Sequence, residues 1–393
     1  MMVKIATFIS AFLSLGTFAL TESIPQTDYD VIIVGGGPAG LSALSGVSRV
    51  RRTALLIDSQ HYRNDPTREM HDVIGNDGTP LPEFRGAARE QISRYPTAHF
   101  RNSTVLSVQS IGDGTVSAFN VSDNTGSSFT SRKLVLGTGL TDVLPDTPGI
   151  KEAWGKGVFW CPWCDGYEHR DQPFGILTDV AGVLDDLLEV NTQYSDIIAF
   201  VNGTQTAEGE AAATAKNDGW KEQLEAWNVK IDNRTITRLE RTQDGGDHRD
   251  EENDLQFDKF LLHFSTGDPV ERDAFIIDVP TVQHSQLPSQ MKLKMTDHKI
   301  DVVASSMRTS QAGVWAVGDC NGGGGATNVP HAMFTGKKAA VYLHVEMSRE
   351  DSHSKVSKRS GLSETELVEE ATRAIGDKLE RKWEEIQKRS NMA

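Results

Sequence analysis

Cys161 and Cys164 stand three positions apart in Trp160-Cys161-Pro162-Trp163-Cys164-Asp165-Gly166-Tyr167-Glu168 and are two of only three cysteines in the chain. Such a pair closes a small disulfide ring, and if it opens a helix the partial positive charge there stabilises a thiolate, the reactive form. The pattern serves thiol–disulfide exchange, half of a tetrahedral zinc site, or an inert structural disulfide. Zinc needs two further ligands, and the remaining cysteine, Cys320, lies in a different motif, so redox chemistry is the expectation and no metal is expected.

A redox pair needs elements that set it against an electron acceptor, and the chain opens on one. Asp28-Tyr29-Asp30-Val31-Ile32-Ile33-Val34 reads as a buried strand and runs into Gly35-Gly36-Gly37-Pro38-Ala39-Gly40-Leu41 and a small-residue helix. This is G-x-G-x-x-G in its strand–turn–helix setting, where glycines let the backbone approach a pyrophosphate and the helix N-terminus offers amide donors. A second strand, Thr53 to Ile57, ends in Asp58, placed to meet a ribose hydroxyl. Two more strand–glycine units, Leu134-Val135-Leu136-Gly137-Thr138-Gly139 and Ala312 through Gly318-Asp319-Cys320, narrow the dinucleotide to FAD.

Composition bounds the partners. The 393 residues, with 38% hydrophobic residues and 35 glycines, suffice for two or three globular domains. A net charge of −15 repels phosphate backbones, so no nucleic-acid partner is expected. The apolar and small-residue run from Ile5 to Leu20 behind Lys4 reads as a secretory signal peptide over residues 1–23, too short for a membrane span. Sequons at Asn102, Asn120, Asn202 and Asn233 accord with a secretory or extracellular location and glycosylation.

From about residue 28 to 347 the order of FAD fingerprint, C-x-x-C-D-G and late G-D motif resembles the low-molecular-weight thioredoxin reductases. That resemblance implies a two-domain α/β fold: a Rossmann-type FAD domain with a second nucleotide-binding-like domain, carrying the C-x-x-C, inserted in it. The boundaries are then 28–152 with 284–347 for the FAD domain and 153–283 for the insertion. It also implies that Gly35, Gly37, Gly40 and Asp58 hold the ADP half of FAD and Asp319 the ribityl chain, with Pro38, Ala39, Gly137, Thr138 and Gly318 completing the cofactor site. The helix after Pro330 aims its N-terminus at the flavin ring. Cys164 faces the flavin, Cys161 meets the substrate sulfur, and Asp165 moves the thiol proton, its competing reading being a helix cap. His71 is placed in the cofactor-pocket lining. Cys320, beside Asp319, reads as a buried small apolar residue.

One departure redirects the reading. Where these reductases carry a second glycine fingerprint and a basic cluster for NADPH, this chain has Gln172-Pro173-Phe174-Gly175-Ile176-Leu177-Thr178-Asp179-Val180-Ala181-Gly182, with only Gly175 suitably placed, and no arginine pair follows Ala199-Phe200-Val201. NADPH is therefore not expected as a partner. Cys-Pro-Trp-Cys-Asp-Gly-Tyr-Glu, the eroded second site and Asn328-Val329-Pro330-His331-Ala332 resemble the fungal gliotoxin-type dithiol oxidases. That resemblance implies oxidation of a small-molecule dithiol, made in secondary metabolism, with O2 as the acceptor. His331 is the candidate base for the substrate thiol, its competing reading being a histidine packed at the helix start or bonding the flavin carbonyl. An NADPH-dependent disulfide reductase and a non-catalytic flavin- or thiol-binding protein are the alternatives. The family resemblance also implies a homodimer.

Two further stretches are read from pattern. Thr242 to Asn253 is charged and glycine-containing and predicts an exposed hairpin loop. Residues 348–393 predict a polar linker from about Arg349 to Gly361 and then an amphipathic helix. That helix opens on a Ser363-to-Glu366 capping box, with Leu367, Ala371, Ile375, Leu379, Trp383 and Ile386 on one face.

Overall fold

The strand β1 (Tyr29–Val34) is buried from Val31 onward and lies at the centre of the first sheet of the computed structural model, which describes residues 24–111 and 116–360. The expected signal peptide and the C-terminal amphipathic helix fall outside the described residues. Gly35 turns the chain into α1 (Pro38–Arg49), where Pro38 occupies the first turn, a place where its missing N–H is not needed. β2 (Ala54–Asp58) returns beside β1, and α2 (Leu81–Ser93) leads to β3 (Ala98–Asn102). β4 (Val105–Ser110) and β5 (Phe119–Asp123) form a hairpin whose second strand pairs antiparallel with the first half of β6 (Ser128–Leu136). The order is β3-β2-β1-β6-β5-β4, parallel through β6. The second half of β6 takes a parallel partner from far along the chain, Val314–Ala316, with Val314 opposite Leu134. Ile32, Leu55, Leu134, Val314 and Cys320 share the core on one face.

A second sheet of five parallel strands has the order Lys230–Asp232, Ile197–Phe200, Phe174–Leu177, Ala274–Ile277 and Val158–Phe159. Its core joins Phe159, Phe174, Ile176 and Leu187 to Tyr194, whose ring stacks on Phe174 with centroids 3.8 Å apart. The short strand Val158–Phe159 ends just before Cys161, so this sheet fixes where the cysteine pair begins. The chain has the thioredoxin-reductase-like α/β fold that its motifs imply.

One local expectation is corrected and another is refined. Residues 349–360 are helical: the last helix runs Val329–Ser360, because no glycine or proline interrupts it between Gly336 and Gly361. The expected exposed hairpin at 242–253 is present, with Arg249–Asp250 pairing Leu255–Gln256 just beyond it, and it is also anchored. Asp244 pairs with Arg68 at 2.5 Å, and Arg249 grips Glu69 through two bonds of 2.7 and 2.8 Å. Charge pattern alone reads as a solvated loop, and the partners lie in a loop far away in sequence.

Candidate active site

A cavity of about 670 Å³ opens over the C-terminal ends of β1, β2 and β6, where open α/β sheets bind ligands. Its wall includes Gly35, Gly37, Pro38, Ala39, Asp58, His71, Gly137, Thr138, Gly318 and Asp319. The glycines divide by job. A Cβ on Gly35, where φ is +108°, would lie 2.2 Å from the Gly137 carbonyl oxygen. One on Gly40 would meet the Gly35 oxygen at 1.9 Å, so Gly40 packs helix against turn and is not part of the wall. A Cβ on Gly37 would meet no protein atom within 4 Å and would enter the cavity. That open strip of backbone at the start of α1 is what a pyrophosphate needs, and the residues fit FAD.

Polar groups are placed around this strip. The buried Asp58 carboxylate accepts from the Tyr62 hydroxyl at 2.6 Å and from the Gln60 N–H at 2.9 Å, and it pairs with Arg89. Burial and the Asp58 bond push the Tyr62 phenol up to about 12, so it remains a donor. Arg63 holds Asp142 at 2.6 Å and Asp319 at 3.0 Å while its guanidinium lies 4.7 Å from the Trp160 ring centroid. Sequence reading missed Arg63, which sits in an irregular loop and belongs to no motif. Asn328, Val329, Pro330 and Ala332 bring the N-terminus of the long helix to the same cavity.

Cys161 and Cys164 form a disulfide, with Cα atoms 5.2 Å apart. Cys161 is the N-cap of a single helical turn, Pro162–Asp165, and is buried outside the cavity wall, whereas Cys164 and Asp165 are part of that wall. Trp160 also faces the cavity; Trp163 is 62% exposed on the other side of the pair. Burial, with the charge of Glu168 adding to it, raises the Asp165 carboxyl to about 7 against the pull of His71 and Arg68. A carboxyl so placed gives and takes a proton near neutrality, as a general acid/base must. His71 is tied to the pair directly: its Nδ1–H donates to the Cys164 carbonyl at 3.0 Å and its Nε2 lies 3.4 Å from Glu168 Oε1. Behind it, against the penalty of burial, His169, Arg68 and the Gly245 N–H hold the Asp258 carboxyl down to about 2.

His331 does not join this group. It is absent from the cavity wall, its backbone N–H is bonded to the Asn328 side chain at 3.0 Å, and its ring packs over Gly325. Burial lowers its proton affinity. Cys320 is fully buried, its thiol donating to the Val317 carbonyl at 3.2 Å, and burial raises its pKa.

The second βα turn runs from Phe174–Leu177 into the helix Val183–Val190. The Gly182 N–H is taken by Asp179 Oδ1 at 2.9 Å and the Val180 N–H by the Thr204 hydroxyl at 2.9 Å. Asp185 and Asp186 occupy the first turn of the helix. Burial, then the nearby Asp278, Glu189 and Asp185, push Asp186 up to about 7 despite its Thr178 bond.

A dinucleotide cavity walled on one side by a C-x-x-C disulfide and a near-neutral acid defines a flavin-dependent disulfide oxidoreductase. Residues 29–187 match the family model described as pyridine nucleotide-disulphide oxidoreductase. The chain is 46% identical over 369 residues to a probable thioredoxin reductase of Arthroderma benhamiae, covering 91% of each. It is 30% identical to the thioredoxin reductase tcpT of Claviceps purpurea, over 81% of this chain and 94% of that one. The crystal structure of HlmI superimposes with a TM-score of 0.71 at 28% identity, over 84% of this chain and 96% of HlmI. The chain belongs to the thioredoxin-reductase-like family of these enzymes, and FAD is its cofactor.

Proposed function

We propose that this protein oxidises a small-molecule dithiol to a disulfide, with O2 rather than NADP+ as the final acceptor. The observation that carries the reading is the second βα turn. The Val180 and Gly182 amides are already bonded to Thr204 and Asp179, and Asp179, Asp185 and Asp186 line the turn and the start of its helix, where they oppose a pyrophosphate. Gly35 to Ala39 and Asp319 would hold FAD, which when bound would supply the two-electron sink and the outlet to oxygen.

The protein's part is thiol exchange. A substrate thiolate attacks Cys161, forming a mixed disulfide and releasing the Cys164 thiolate. The second substrate thiolate then attacks its own partner's sulfur, the cyclic disulfide leaves, and Cys161 is released. Asp165 lies beside Cys164 to supply the proton the leaving thiolate takes up, and takes it back when the pair recloses. Trp160 and Trp163 offer apolar faces on the two sides of the pair. The relatives' names favour a second reading, an NADPH-dependent disulfide reductase; the aspartates at the second turn weigh against it. An apolar stripe of Met333, Phe334, Val341 and Tyr342, exposed on the long helix, supports a homodimer. Secretion belongs to the same proposal, and deglycosylation with N-terminal sequencing of exported protein tests it.

The test is anaerobic reduction of the yellow protein with NADPH in one cuvette and a small dithiol in the other. Bleaching by dithiol alone, reversed by air with peroxide formed, is expected. Fast bleaching by NADPH would overturn the proposal. In Cys164→Ser the cofactor is expected to stay bound while dithiol no longer bleaches it.

A further inference from the structure

Exchange at the disulfide moves protons, and Asp165 faces the cavity that cofactor and substrate would fill. The protein keeps a second void behind Asp165, of about 10 Å³, lined by Arg68, His71, Asp165, Glu168 and His169 among others. That is room for about one water. The His71 and Glu168 side chains flank it and are only 8% and 3% exposed. His71 Nδ1 faces a carbonyl and must carry its hydrogen. Its Nε2 makes no hydrogen bond of good geometry and faces Glu168 Oε1 across 3.4 Å. Beyond Glu168 comes Asp254, which is not buried. One nitrogen or oxygen from each of His71, Glu168 and Asp254 lies within 4.8 Å of the other two. A row of titratable groups therefore leads from the cavity wall to the surface.

We propose that Glu168, paired with His71, is the relay that carries protons between Asp165 and the surface at Asp254, by a route that avoids the substrate opening. The idea rests on the oxidase reading only for the direction of flow; a reductase would use the same path inward. When the pair recloses, the Cys164 thiol gives its proton to the Asp165 carboxylate. Asp165 passes a proton to Glu168, directly or through a water in the void, and Glu168 hands one on to Asp254 and solvent. Each carboxylate ends as it began, and no electrons travel along the path.

The charges around these groups agree with the role. Asp165 is faced by Glu168, His71 and Arg68, and Glu168 by His71, Asp254 and His169. Burial raises Glu168 as it raises Asp165, so both carboxyls hold a proton more firmly than in water.

The test compares Glu168→Gln and Asp254→Asn with the parent as FAD-loaded proteins, with Glu251→Gln as a surface control. Asparagine suits position 254, where φ is +52°. Opening of the Cys161–Cys164 disulfide by dithiothreitol is followed by alkylation and mass spectrometry, which does not require the flavin to be reduced. Infrared spectroscopy follows the protonated carboxyl band of Asp165 against pH. Glu168→Gln is expected to slow opening about tenfold or more, with recovery on adding formate or imidazole. Its Asp165 band is expected to titrate lower by on the order of one pH unit, because a neighbouring negative charge is gone. Asp254→Asn is expected to slow opening a few-fold and to be rescued in the same way. Unchanged rates in both variants, or losses that no added weak acid restores, would overturn the relay. Failure of dithiol to bleach the parent flavin would count against the oxidase reading and leave these measurements to judge the path.

Discussion

Replacing Asp165 by asparagine removes a carboxyl whose pKa the fold raises from 3.8 to about 7. Burial is the main cause, with the charge of Glu168 second. Between those two values the folded protein keeps a proton that the unfolded chain has released, so stability falls as pH rises across the window and stays lowered above it. At 1.36 kcal/mol per unit the penalty is roughly 1.6 kcal/mol at pH 5 and roughly 4 kcal/mol at pH 8.5. Asparagine cannot ionise and escapes it. With an unfolding entropy of roughly 0.8 kcal/mol/K for a chain of this length, Asp165→Asn is expected to melt up to about 5 °C above the parent at pH 8.5 and about 2 °C above it at pH 5. The same variant is expected to lose dithiol-driven bleaching by about 100-fold or more. Flavin fluorescence of the FAD-loaded proteins, heated at the two pH values, reads both melts. An equal gain at both, or a lower melting temperature throughout, would refute the argument, since the parent carboxyl would then not be held above its ordinary range.

Gly35→Ala places a methyl against the Gly137 carbonyl at a left-handed φ and is expected to destabilise the fold by about 2–4 kcal/mol, read as lost soluble yield and a lower melting temperature. Gly37→Ala meets no protein atom, so a parent-like circular dichroism spectrum with a reduced flavin-to-protein absorbance ratio is expected. Arg63→Ala leaves Asp142 and Asp319 without their shared cation; at about 3–5 kcal/mol for a broken buried pair, melting is expected to fall by roughly 4–6 °C.

Local signals carried much of this site. The strand, glycine turn and helix at 29–49 lie within one short stretch whose apolar run and glycine spacing specify each other, and the cysteines and Asp165 lie within another. The make-up of the second turn was legible too, because its few glycines and its aspartates are visible as letters. What stayed hidden depends on distant segments meeting. Glu168 was in plain view within the cysteine motif, but its value comes from His71, in the first half of the chain, and from Asp254. Arg63 gives no periodic signal, and it matters because the fold sets Asp142, Asp319 and Trp160 around it. His331 stood open between a base and a packed residue: its motif is beside the cavity, and its ring lies by Gly325, as the packed reading has it.

The partner of β6 at Val314–Ala316 has a consequence for how the protein is made. Leu134 leaves the ribosome long before Val314, and at roughly 5–20 residues per second the interval is on the order of ten to forty seconds. Throughout it, the edge of β6 from Leu134 to Leu136 stands without its neighbour, and Gly318 and Asp319 have not yet been synthesised. The five-stranded sheet, whose strands all fall between 158 and 277, is complete in the meantime. Synthesis order thus leaves the apolar edge of β6 without its Val314–Ala316 partner until the last part of this sheet is made.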